Sequence, residues 1–552
     1  MSAGVSSDGG RTGAVERNTG RAGAVERDSG DRDAGNRDSG DRERGRRWES
    51  GAARDRGPRQ ERGSTGDRGS SGDRGFSGDR RSARQVGADR AHRAVARGGD
   101  PARQAAYQAI AAVNRDGAYA NLVLPQILRE FGVHGRDAAF ATELTYGTLR
   151  AMGTLDAIVA AAAGREVDRI DPPARDALRL GAYQLLHTRV PAHAAVSTTV
   201  DLLRSADGPG ATGFANAVLR QIGGRTRDEW LADLAPARDA DPVGYLALTH
   251  SHPQWIVRAF EETLGGDQEE TEALLVEDNY PAAVHLCARP GLVDAVELAD
   301  EVGGAPGAFS PYAVYLDGGA PSELAAVREG RAHVQDEGSQ LAALALADAE
   351  VVGEDTRWLD LCAGPGGKAA LLGSLAALRG ARLTAVEVAP HRAELVEKAT
   401  RGLPVTVLCA DGRDVGGPDL PEAGFDRVLV DAPCSGLGAL RRRPEARWRR
   451  TPSDLPPLTR LQRELLTAAI RAVRPGGVVG YVTCSPHIVE TQVTVTESAR
   501  RSPHPVELLD ARSGVAAGSV SMPGLGTGPT VQLWPHRHGT DAMFIALLRR
   551  TG

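Results

Sequence analysis

Lysine is almost absent from this chain. Only Lys368 and Lys398 occur, against 64 arginines (66 basic residues less the two lysines) in 552 residues. A lysine retained in a sequence so biased towards arginine invites inspection, although chance accounts for either one equally well.

Cysteine is also scarce, and its pattern excludes two classes of site. The five cysteines are odd in number and contain no C-x-x-C pair, which argues against a disulfide framework and against a structural zinc site. No His, Cys or Asp cluster has ligand spacing either, so we expect no metal. We therefore expect reduced thiols, and a cysteine with a functional role would act through the reactivity of its thiol.

Long hydrophobic runs are lacking as well. Apolar stretches are broken by Gly, Arg or Asp and are much shorter than the ~20 residues of a membrane-spanning helix. The N-terminus has no apolar stretch of the secretory type. We therefore expect a cytoplasmic enzyme, and the length predicts two or three domains.

Residues 1–95 contain no Leu, Ile or Tyr and repeat short Arg/Gly/Asp-rich units. Without apolar side chains to offset the entropy of ordering, this tail is predicted to be disordered. It holds 21 Arg and 16 Asp+Glu, a balance of +5; because the whole chain is −6, the remainder is −11. A solubilising tail is favoured over a weak RNA-binding tail, because the acidic residues nearly balance Arg.

Two regions precede the C-terminal part. Residues 100–225 show helical periodicity: in "DPPARDALRLGAYQLLH", Asp171 is a potential N-cap, Pro172 opens the first turn, and an apolar face follows. We predict an all-helical domain there, followed by a polar linker near 226–241. Residues 240–335 mix helical and short strand patterns, which indicates a small α+β module.

From residue 336 to 552, short apolar strands alternate with helical stretches, which predicts a parallel α/β sheet covered on both faces. Ligands of such sheets bind at the carboxyl ends of the strands. The predicted strands are 357–362, 382–388, 405–410, 426–432, 478–484 and 543–548.

The first strand runs into the glycine-rich turn "DLCAGPGGK", Asp360 to Lys368. Glycines allow close backbone approach to a ligand and leave amide groups free at a helix N-terminus, although such turns also serve tight packing. The turn matches neither G-x-G-x-x-G nor G-x-x-x-x-G-K-[ST].

Acidic residues end the next two strands. Glu387 is placed to accept hydrogen bonds from ribose hydroxyls, and Asp411 lies at the equivalent height on the third strand. Either side chain could simply be solvated. Together with the glycine-rich turn they describe a pocket for an adenosine-like ligand without a pyrophosphate, so S-adenosylmethionine fits better than NAD.

The fourth strand leads into "DAPCSG" and the fifth into "TCSP", so Asp431, Cys434 and Cys484 are expected to converge at the mouth of that pocket. A thiolate is a strong nucleophile. Cytosine C5 becomes nucleophilic only after addition at C6, so methylation there needs a thiolate and an acid near N3. One cysteine and one aspartate supply that minimum.

The remaining cysteines have simpler interpretations. Cys287 and Cys409 are expected to be small buried hydrophobes, the usual state of free cysteine. Cys362 lies in the cofactor turn and is expected to be mainly a packing residue.

The stretch "RRRPEARWRR", Arg441 to Arg450, carries six Arg and one Glu. Charge runs are usually solvated faces. Because this one follows Cys434, we interpret it as a phosphate-binding edge for a polynucleotide, with Trp448 as a stacking surface. The predicted RNA-binding residues are Arg441, Arg442, Arg443, Arg447 and Trp448.

"DLCAGPGGK", "DAPCSG" and "YVTCSP", in this order, resemble the motifs of the RNA cytosine-5 methyltransferases. "LRLGAYQLLHTRVPAHAAVSTTVDLLR" and "GFANAVLR" are similar to the NusB-type RNA-binding domain fused to the bacterial 16S ribosomal RNA cytosine-5 methyltransferases. The resemblance covers roughly residues 100–550. It implies a Rossmann-like class I S-adenosylmethionine-dependent methyltransferase domain behind an all-α NusB-type domain and a small α+β module.

The resemblance also implies residue roles. Cys484 would attack C6, Cys434 would assist release of the methylated product, and Asp431 would contact the cytosine. S-adenosylmethionine would be held by Cys362, Ala363, Gly364, Pro365, Gly366, Gly367, Lys368, Glu387, Asp411 and Asp431, with Lys368 also counted among the catalytic residues. The implied substrate is small-subunit (16S) ribosomal RNA, free or in early assembly, and we expect a monomer.

Spacing does not decide which cysteine attacks, because in the DNA cytosine methylases the nucleophile follows a proline, as Cys434 does here. The choice of Cys484 is a hypothesis based on the motif order of the RNA enzymes. Two other functions remain open. A methylase of exocyclic amines would need an aromatic stacker where "DAPC" offers a thiol, and a non-catalytic RNA-binding protein would not need the complete set of polar residues.

Overall fold

The computed structural model describes residues 99–516 and 522–552. The predicted tail, residues 1–95, lies outside the described residues. Within the described part, no helix is both long and apolar enough to cross a membrane.

Residues 101–222 form a helical region. Helix α1 begins after Asp100, whose carboxylate accepts a hydrogen bond from the Arg103 amide, and ends at Gly117 in the left-handed conformation. The helix predicted after Asp171 begins at Pro172, although the Asp171 side chain makes no capping bond. The helices are α1 (Pro101–Asp116), α2 (Ala120–Phe131), α3 (Gly135–Arg150), α4 (Met152–Ala163), α5 (Pro172–His187), α6 (Ala192–Asp207) and α7 (Thr212–Ile222).

The predicted polar linker at 226–241 is partly wrong, because α8 (Arg227–Leu234) lies within it. Thr226 and Glu229 form a capping box, in which each side chain accepts from the other residue's backbone amide. Trp230 is buried and donates its indole N–H to the carbonyl of Ile222. This buried contact with the helical region stabilises the short helix. The sequence did not predict the helix because the segment is mostly polar.

The next region combines helices with a small antiparallel sheet, in the strand order β2-β3-β1-β4. Its helices α9, α10 and α11 come first, and α12 and α13 are interspersed with the strands. The elements are α9 (Pro242–Thr249), α10 (Gln254–Thr263), α11 (Gln268–Glu277), β1 (Val284–Ala288), α12 (Ala295–Val302), β2 (Ala305–Pro306), β3 (Ala313–Leu316), α13 (Ala325–Arg328) and β4 (Ala332–Val334).

The C-terminal region is built on a larger sheet in the order β10-β12-β9-β8-β5-β6-β7, with β11 paired to β12. The six predicted strands are present. The five strands from β7 to β9 are parallel, but β12 is antiparallel to both of its neighbours, β9 and β10, so the expectation of a parallel sheet holds only in part. The strands are β5 (Arg357–Asp360), β6 (Arg382–Val386), β7 (Val405–Leu408), β8 (Phe425–Asp431), β9 (Val473–Thr483), β10 (Val506–Leu509), β11 (Val531–Gln532) and β12 (Phe544–Arg550).

Apolar side chains cover both faces of this sheet. Helices α14, α15 and α20 pack on one face around Trp358 and Leu429, and α18 and α19 pack on the other around Tyr481 and Phe544. The fold class predicted from the sequence is confirmed. The helices are α14 (Glu337–Asp348), α15 (Gly367–Leu378), α16 (Pro390–Ala399), α17 (Ala446–Arg449), α18 (Leu455–Ala472), α19 (Gln492–Arg501), α20 (Ala511–Ala516) and α21 (Pro535–His538).

Candidate active site

The glycine-rich turn and Glu387 are in direct contact. They follow β5 and β6, which are neighbouring parallel strands and therefore end at the same edge of the sheet. The buried Glu387 carboxylate accepts from the Gly364 amide (3.2 Å) and the Ala389 amide (2.9 Å). An ideal Cβ at position 364 would lie 2.2 Å from Glu387 Oε2. Only glycine allows this approach.

Asp411 follows β7, the next strand, but its carboxylate is engaged. Both of its oxygens accept from Arg413, whose guanidinium also reaches Glu464. The hydrogen bond from Arg413 lowers the pKa of Asp411. The proposed adenosine-facing role of Asp411 stays a prediction.

Asp360, the first residue of the "DLCAGPGGK" turn, was given no role by the sequence analysis. Its side chain is fully buried, Oδ1 accepts from the Cys362 amide (3.3 Å), and Oδ2 has no hydrogen-bond partner among the described residues. Burial, and then repulsion from Asp431, raise the pKa of Asp360 to about 7. The turn therefore contains a carboxyl group that titrates near neutrality.

Lys368 lies against Asp431 at the end of β8, with Nζ 2.9 Å from Oδ2. Burial alone would lower the pKa of Lys368, but the charge and hydrogen bond of Asp431 outweigh it and raise that pKa. One of the two lysines in the chain is thus held as an ammonium group in the glycine-rich turn.

Cys434 and Cys484 lie together, as predicted, with their Sγ atoms 3.4 Å apart. Lys368 favours a thiolate at Cys484, whereas the negative charge of Glu490 disfavours one at Cys434. The hydrogen bond from Cys434, against the opposing effect of burial, lowers the pKa of Cys484. The bond to Cys484, burial and the charge of Glu490 raise the pKa of Cys434. The two shifts have opposite directions, so a thiolate is easier to form at Cys484 than at Cys434.

The backbones of the two cysteine loops are joined at Gly438. Its amide donates to the Cys484 carbonyl (2.9 Å), and its own carbonyl accepts from the Ala542 amide (2.8 Å). A Cβ at this position would lie 2.2 Å from the Ala542 oxygen. A glycine here is required by the close approach of the two loops.

The sequence analysis missed Glu490, which is fully buried next to the cysteine loops. It accepts hydrogen bonds from Ser435 and Ser485, the residues that follow the two cysteines. The available signal was an acidic residue six positions after Cys484 in an otherwise uncharged stretch.

The predicted phosphate-binding edge is wrong for Arg441 and Arg447, because both side chains are buried. Arg441 donates to Glu277 (2.8 Å) and to the carbonyls of Gly539 and Thr540. Phosphates have no access to a guanidinium enclosed in this way.

Arg447 has no exposed surface, and it binds the helical regions before the sheet. It donates to Asn279 Oδ1 (2.8 Å) and to the carbonyls of Asp278, Ser251 and Arg150. The arginine run is therefore a junction between parts of the fold.

Trp448 is half-buried and packs against the helical region, so the stacking role predicted for it stays a prediction. Its indole N–H donates to the Leu149 carbonyl (2.9 Å), and an ideal Cβ on Gly153 would lie 2.4 Å from its ring. Arg442 is half-buried between Asp336 and Asp541. Arg443 is exposed, so an RNA contact there stays a prediction.

The other cysteines differ from one another. Cys287 is buried, and burial raises its pKa, as expected of a core residue. Cys409 is exposed, which corrects the expectation of a buried hydrophobe. Cys362 is half-buried and packs against the core beneath the turn.

Two family models match the chain. The model described as 16S rRNA methyltransferase RsmB/F matches residues 346–549, and the NusB family model matches residues 100–223. These matches cover the same regions as the motifs from which the resemblance was inferred.

Similar proteins are found over most of the chain. The putative methyltransferase Rv1407 of Mycobacterium tuberculosis is 58% identical over 82% of this chain and 97% of its own length. Ribosomal RNA small subunit methyltransferase B of Escherichia coli strain 536 is 32% identical over 77% of this chain and 96% of its own length. The crystal structure of PH0851 shares the fold, with a TM-score of 0.68 and 23% identity over 82% of this chain and 99% of that one.

Proposed function

Because the chain belongs to the 16S rRNA methyltransferase RsmB/F family, we propose that it methylates carbon 5 of a cytidine in 16S ribosomal RNA, with S-adenosylmethionine as methyl donor. The observation that carries this proposal is the pair of sulfur atoms 3.4 Å apart. The hydrogen bond from Cys434 lowers the pKa of Cys484, whereas the pKa of Cys434 is raised. Two cysteines whose thiolates differ in stability suit a nucleophile and a thiol acting beside it.

The residues at the strand ends fit S-adenosylmethionine, which supplies an electrophilic methyl group. The turn from Cys362 to Lys368 would bind it through backbone groups, and Glu387 would accept from the ribose. Glu387 is buried; Oε2 accepts from the Gly364 amide and pairs with Arg392 (3.5 Å), whereas Oε1 accepts from the Ala389 amide and keeps a lone pair for a hydroxyl group. Asp411 would contribute from the third strand.

Cys484 would add to C6 of the cytosine. The thiolate forms the sulfur–carbon bond while the C5–C6 double bond opens, and the charge moves towards N3. Asp431, paired with the Lys368 ammonium group, would contact the base there and help to hold the proton that neutralises N3. Once C5 is methylated, loss of the C5 proton and departure of Cys484 restore the ring, and Cys434 would assist that release.

The regions before the sheet would serve RNA binding. We assign 100–225 to a NusB-like RNA-binding domain, 240–335 to a linking module and 336–552 to the catalytic domain. The partner would be free or partly assembled small-subunit RNA in the cytoplasm, bound by a monomer.

The test is methyl transfer from labelled S-adenosylmethionine to 16S ribosomal RNA lacking its native modifications, followed by nucleoside mass spectrometry. Label should appear as 5-methylcytidine and be lost in Cys484→Ala. Cys434→Ala should accumulate a covalent RNA adduct. Cys409→Ala, an exposed thiol away from the pair, is the matched control and should keep activity.

Two outcomes would contradict the proposal. Label in an N-methylated base would indicate an exocyclic-amine methylase. Turnover retained in Cys484→Ala, together with loss of the adduct in Cys434→Ala, would exchange the roles of the two cysteines.

A further inference from the structure

Glu490 is a fully buried carboxylate held by uncharged donors. It accepts from the Ser435 amide (2.8 Å), the Ser435 hydroxyl (2.5 Å), the Ser485 hydroxyl (2.7 Å) and the Gln462 amide group (3.0 Å). Burying a carboxylate is costly unless hydrogen bonds replace its hydration. Four hydrogen bonds to the carboxylate hold the Glu490 side chain in one position.

The serines bound by this carboxylate occupy equivalent places in the two cysteine loops. Ser435 directly follows Cys434, and Ser485 directly follows Cys484. The two hydroxyl oxygens lie 3.1 Å apart, and Glu490 Oε2 accepts from both. The carboxylate therefore bridges two loops that lie fifty residues apart in the chain.

Neighbouring elements hold Glu490 itself in place. Tyr481, on β9, donates its hydroxyl to the Glu490 carbonyl (2.8 Å). Gln462, on α18, donates both to the Glu490 carboxylate and to the carbonyl of Pro433, which precedes Cys434. The bridge is thus anchored to the sheet and to the helix that covers it.

The charge of this bridge also distinguishes the two sulfur atoms. The negative charge of Glu490 contributes to the raised pKa of Cys434. At Cys484 the hydrogen bond from Cys434 lowers the pKa, while the charges of Asp431 and Lys368 act in opposite directions. Charge therefore favours the proton on Cys434, and the hydrogen bonds of Glu490 fix the positions of both loops.

We propose that Glu490 is a positioning residue, which fixes the two cysteine loops against each other through Ser435 and Ser485 and so keeps Cys434 as the thiol partner of the attacking Cys484. This inference rests on the proposed function, because it takes Cys484 as the nucleophile. Glu490 itself touches neither substrate nor cofactor in this role.

The test compares Glu490→Gln with Glu497→Gln in the full chain. Gln keeps the shape of the side chain, but it removes the charge and replaces one acceptor oxygen with a donor. Glu497, on α19, forms long ion pairs with Arg463 (3.8 Å) and Arg501 (3.7 Å), which makes it a matched control. Circular dichroism verifies that both variants fold.

Two readouts separate positioning from general stability. In Glu490→Gln, kcat for 5-methylcytidine formation should fall about 100-fold, while KM for S-adenosylmethionine changes less than about threefold. Independently, diamide should accept two electrons from the pair and join Cys434 to Cys484 as a disulfide, scored by peptide mass; diamide becomes the hydrazine by taking two protons, from the thiol and from solvent. That reaction should be about tenfold slower in Glu490→Gln than in the wild type, because the loops are no longer held in register and Cys484 loses its thiol donor.

Wild-type-like values of kcat and of the disulfide rate in Glu490→Gln would overturn the proposal, as would equal losses in Glu497→Gln. If Glu490→Gln does not fold, the Ser435→Ala/Ser485→Ala double variant takes its place with the same expectations. If the wild type itself makes no 5-methylcytidine, the proposed function fails, and the disulfide rate alone then decides whether Glu490 positions the loops.

Discussion

Lys368 and Asp431 form an ion pair of 2.9 Å across two neighbouring parallel strands, although 63 residues separate them in the chain. Lys368 is the second residue of the helix after β5, and Asp431 is the last residue of β8. The pair joins the glycine-rich turn to the loop of Cys434, so the proposed cofactor site and the sulfur atoms share one electrostatic environment.

Asp431→Asn should separate thiol reactivity from catalysis. The negative charge of Asp431 raises the pKa of Cys484, so its removal should lower that pKa and make iodoacetamide alkylation of Cys484 at pH 7 about 3- to 10-fold faster. Methyl transfer should fall at least ~100-fold, because the contact to the base is lost. Alkylation followed by peptide mass spectrometry measures the first effect. The exposed Asp414→Asn should change neither quantity, and slower alkylation in Asp431→Asn would contradict the electrostatic assignment.

Asp360→Asn should change how stability depends on pH. Burial raises the pKa of Asp360 from 3.8 to about 7, so between those values the native state binds more protons than the unfolded state. Its contribution to stability is therefore present at low pH and is lost as the pH rises through about 7. Asparagine does not titrate, so the variant should gain about 2 kcal/mol relative to the wild type between pH 5 and pH 8. Urea denaturation at both pH values tests this, and a difference independent of pH would refute it.

Arg447→Met should loosen the contact between the helical regions and the sheet. Methionine fills the space but leaves the carbonyls of Arg150, Ser251 and Asp278 without their donor. A loss of about 3 kcal/mol is expected, measured as a lower midpoint of chemical denaturation. Arg443→Met, at an exposed position of the same run, should leave the midpoint nearly unchanged. Equal effects of the two substitutions would rule out a specific role for the buried guanidinium.

Gly438→Ala should impair turnover without affecting cofactor binding. The added methyl group would meet the carbonyl oxygens of Ala542 (2.2 Å) and Cys484 (2.9 Å), so the two cysteine loops would have to separate. We expect kcat to fall about 100-fold with S-adenosylmethionine affinity, measured by calorimetry, unchanged. Gly417→Ala is the control, because a Cβ there meets nothing within 4 Å. Full activity in Gly438→Ala would show that the loops tolerate separation.

The sheet was predictable because its central strands are short apolar runs ending in polar motifs. β10 was missed, since its four residues are only partly buried and carry a glutamate. The same logic brought Cys434 and Cys484 together, because the carboxyl ends of adjacent parallel strands meet. The sequence could not show which of the two thiols has the lower pKa. That difference depends partly on Lys368 and Glu490, whose side chains come from other elements.

The arginine run shows where local patterns fail. A cluster of charges in the sequence predicts a solvent-exposed segment. Arg447 is buried instead, because it binds the carbonyl of Arg150, 297 residues away in the chain. Such acceptors are backbone oxygens at the ends of remote elements and leave no mark on composition. The error at 226–241 has a similar cause, because Trp230 finds its partner in the preceding helix.

The segment after Cys434 has a consequence for how this protein can be divided. Arg447, Trp448 and Arg449 donate to the carbonyls of Ser251, Leu149 and Val113, while Arg450 donates to the carbonyl of Ser435 beside the cysteine pair. A fragment starting at residue 336 would contain all three sequence motifs. It would also expose to solvent the surface that the helical regions cover in the full chain. The regions are consequently not interchangeable modules, and a graft of this sheet onto another helical domain would have to include the helices that it contacts.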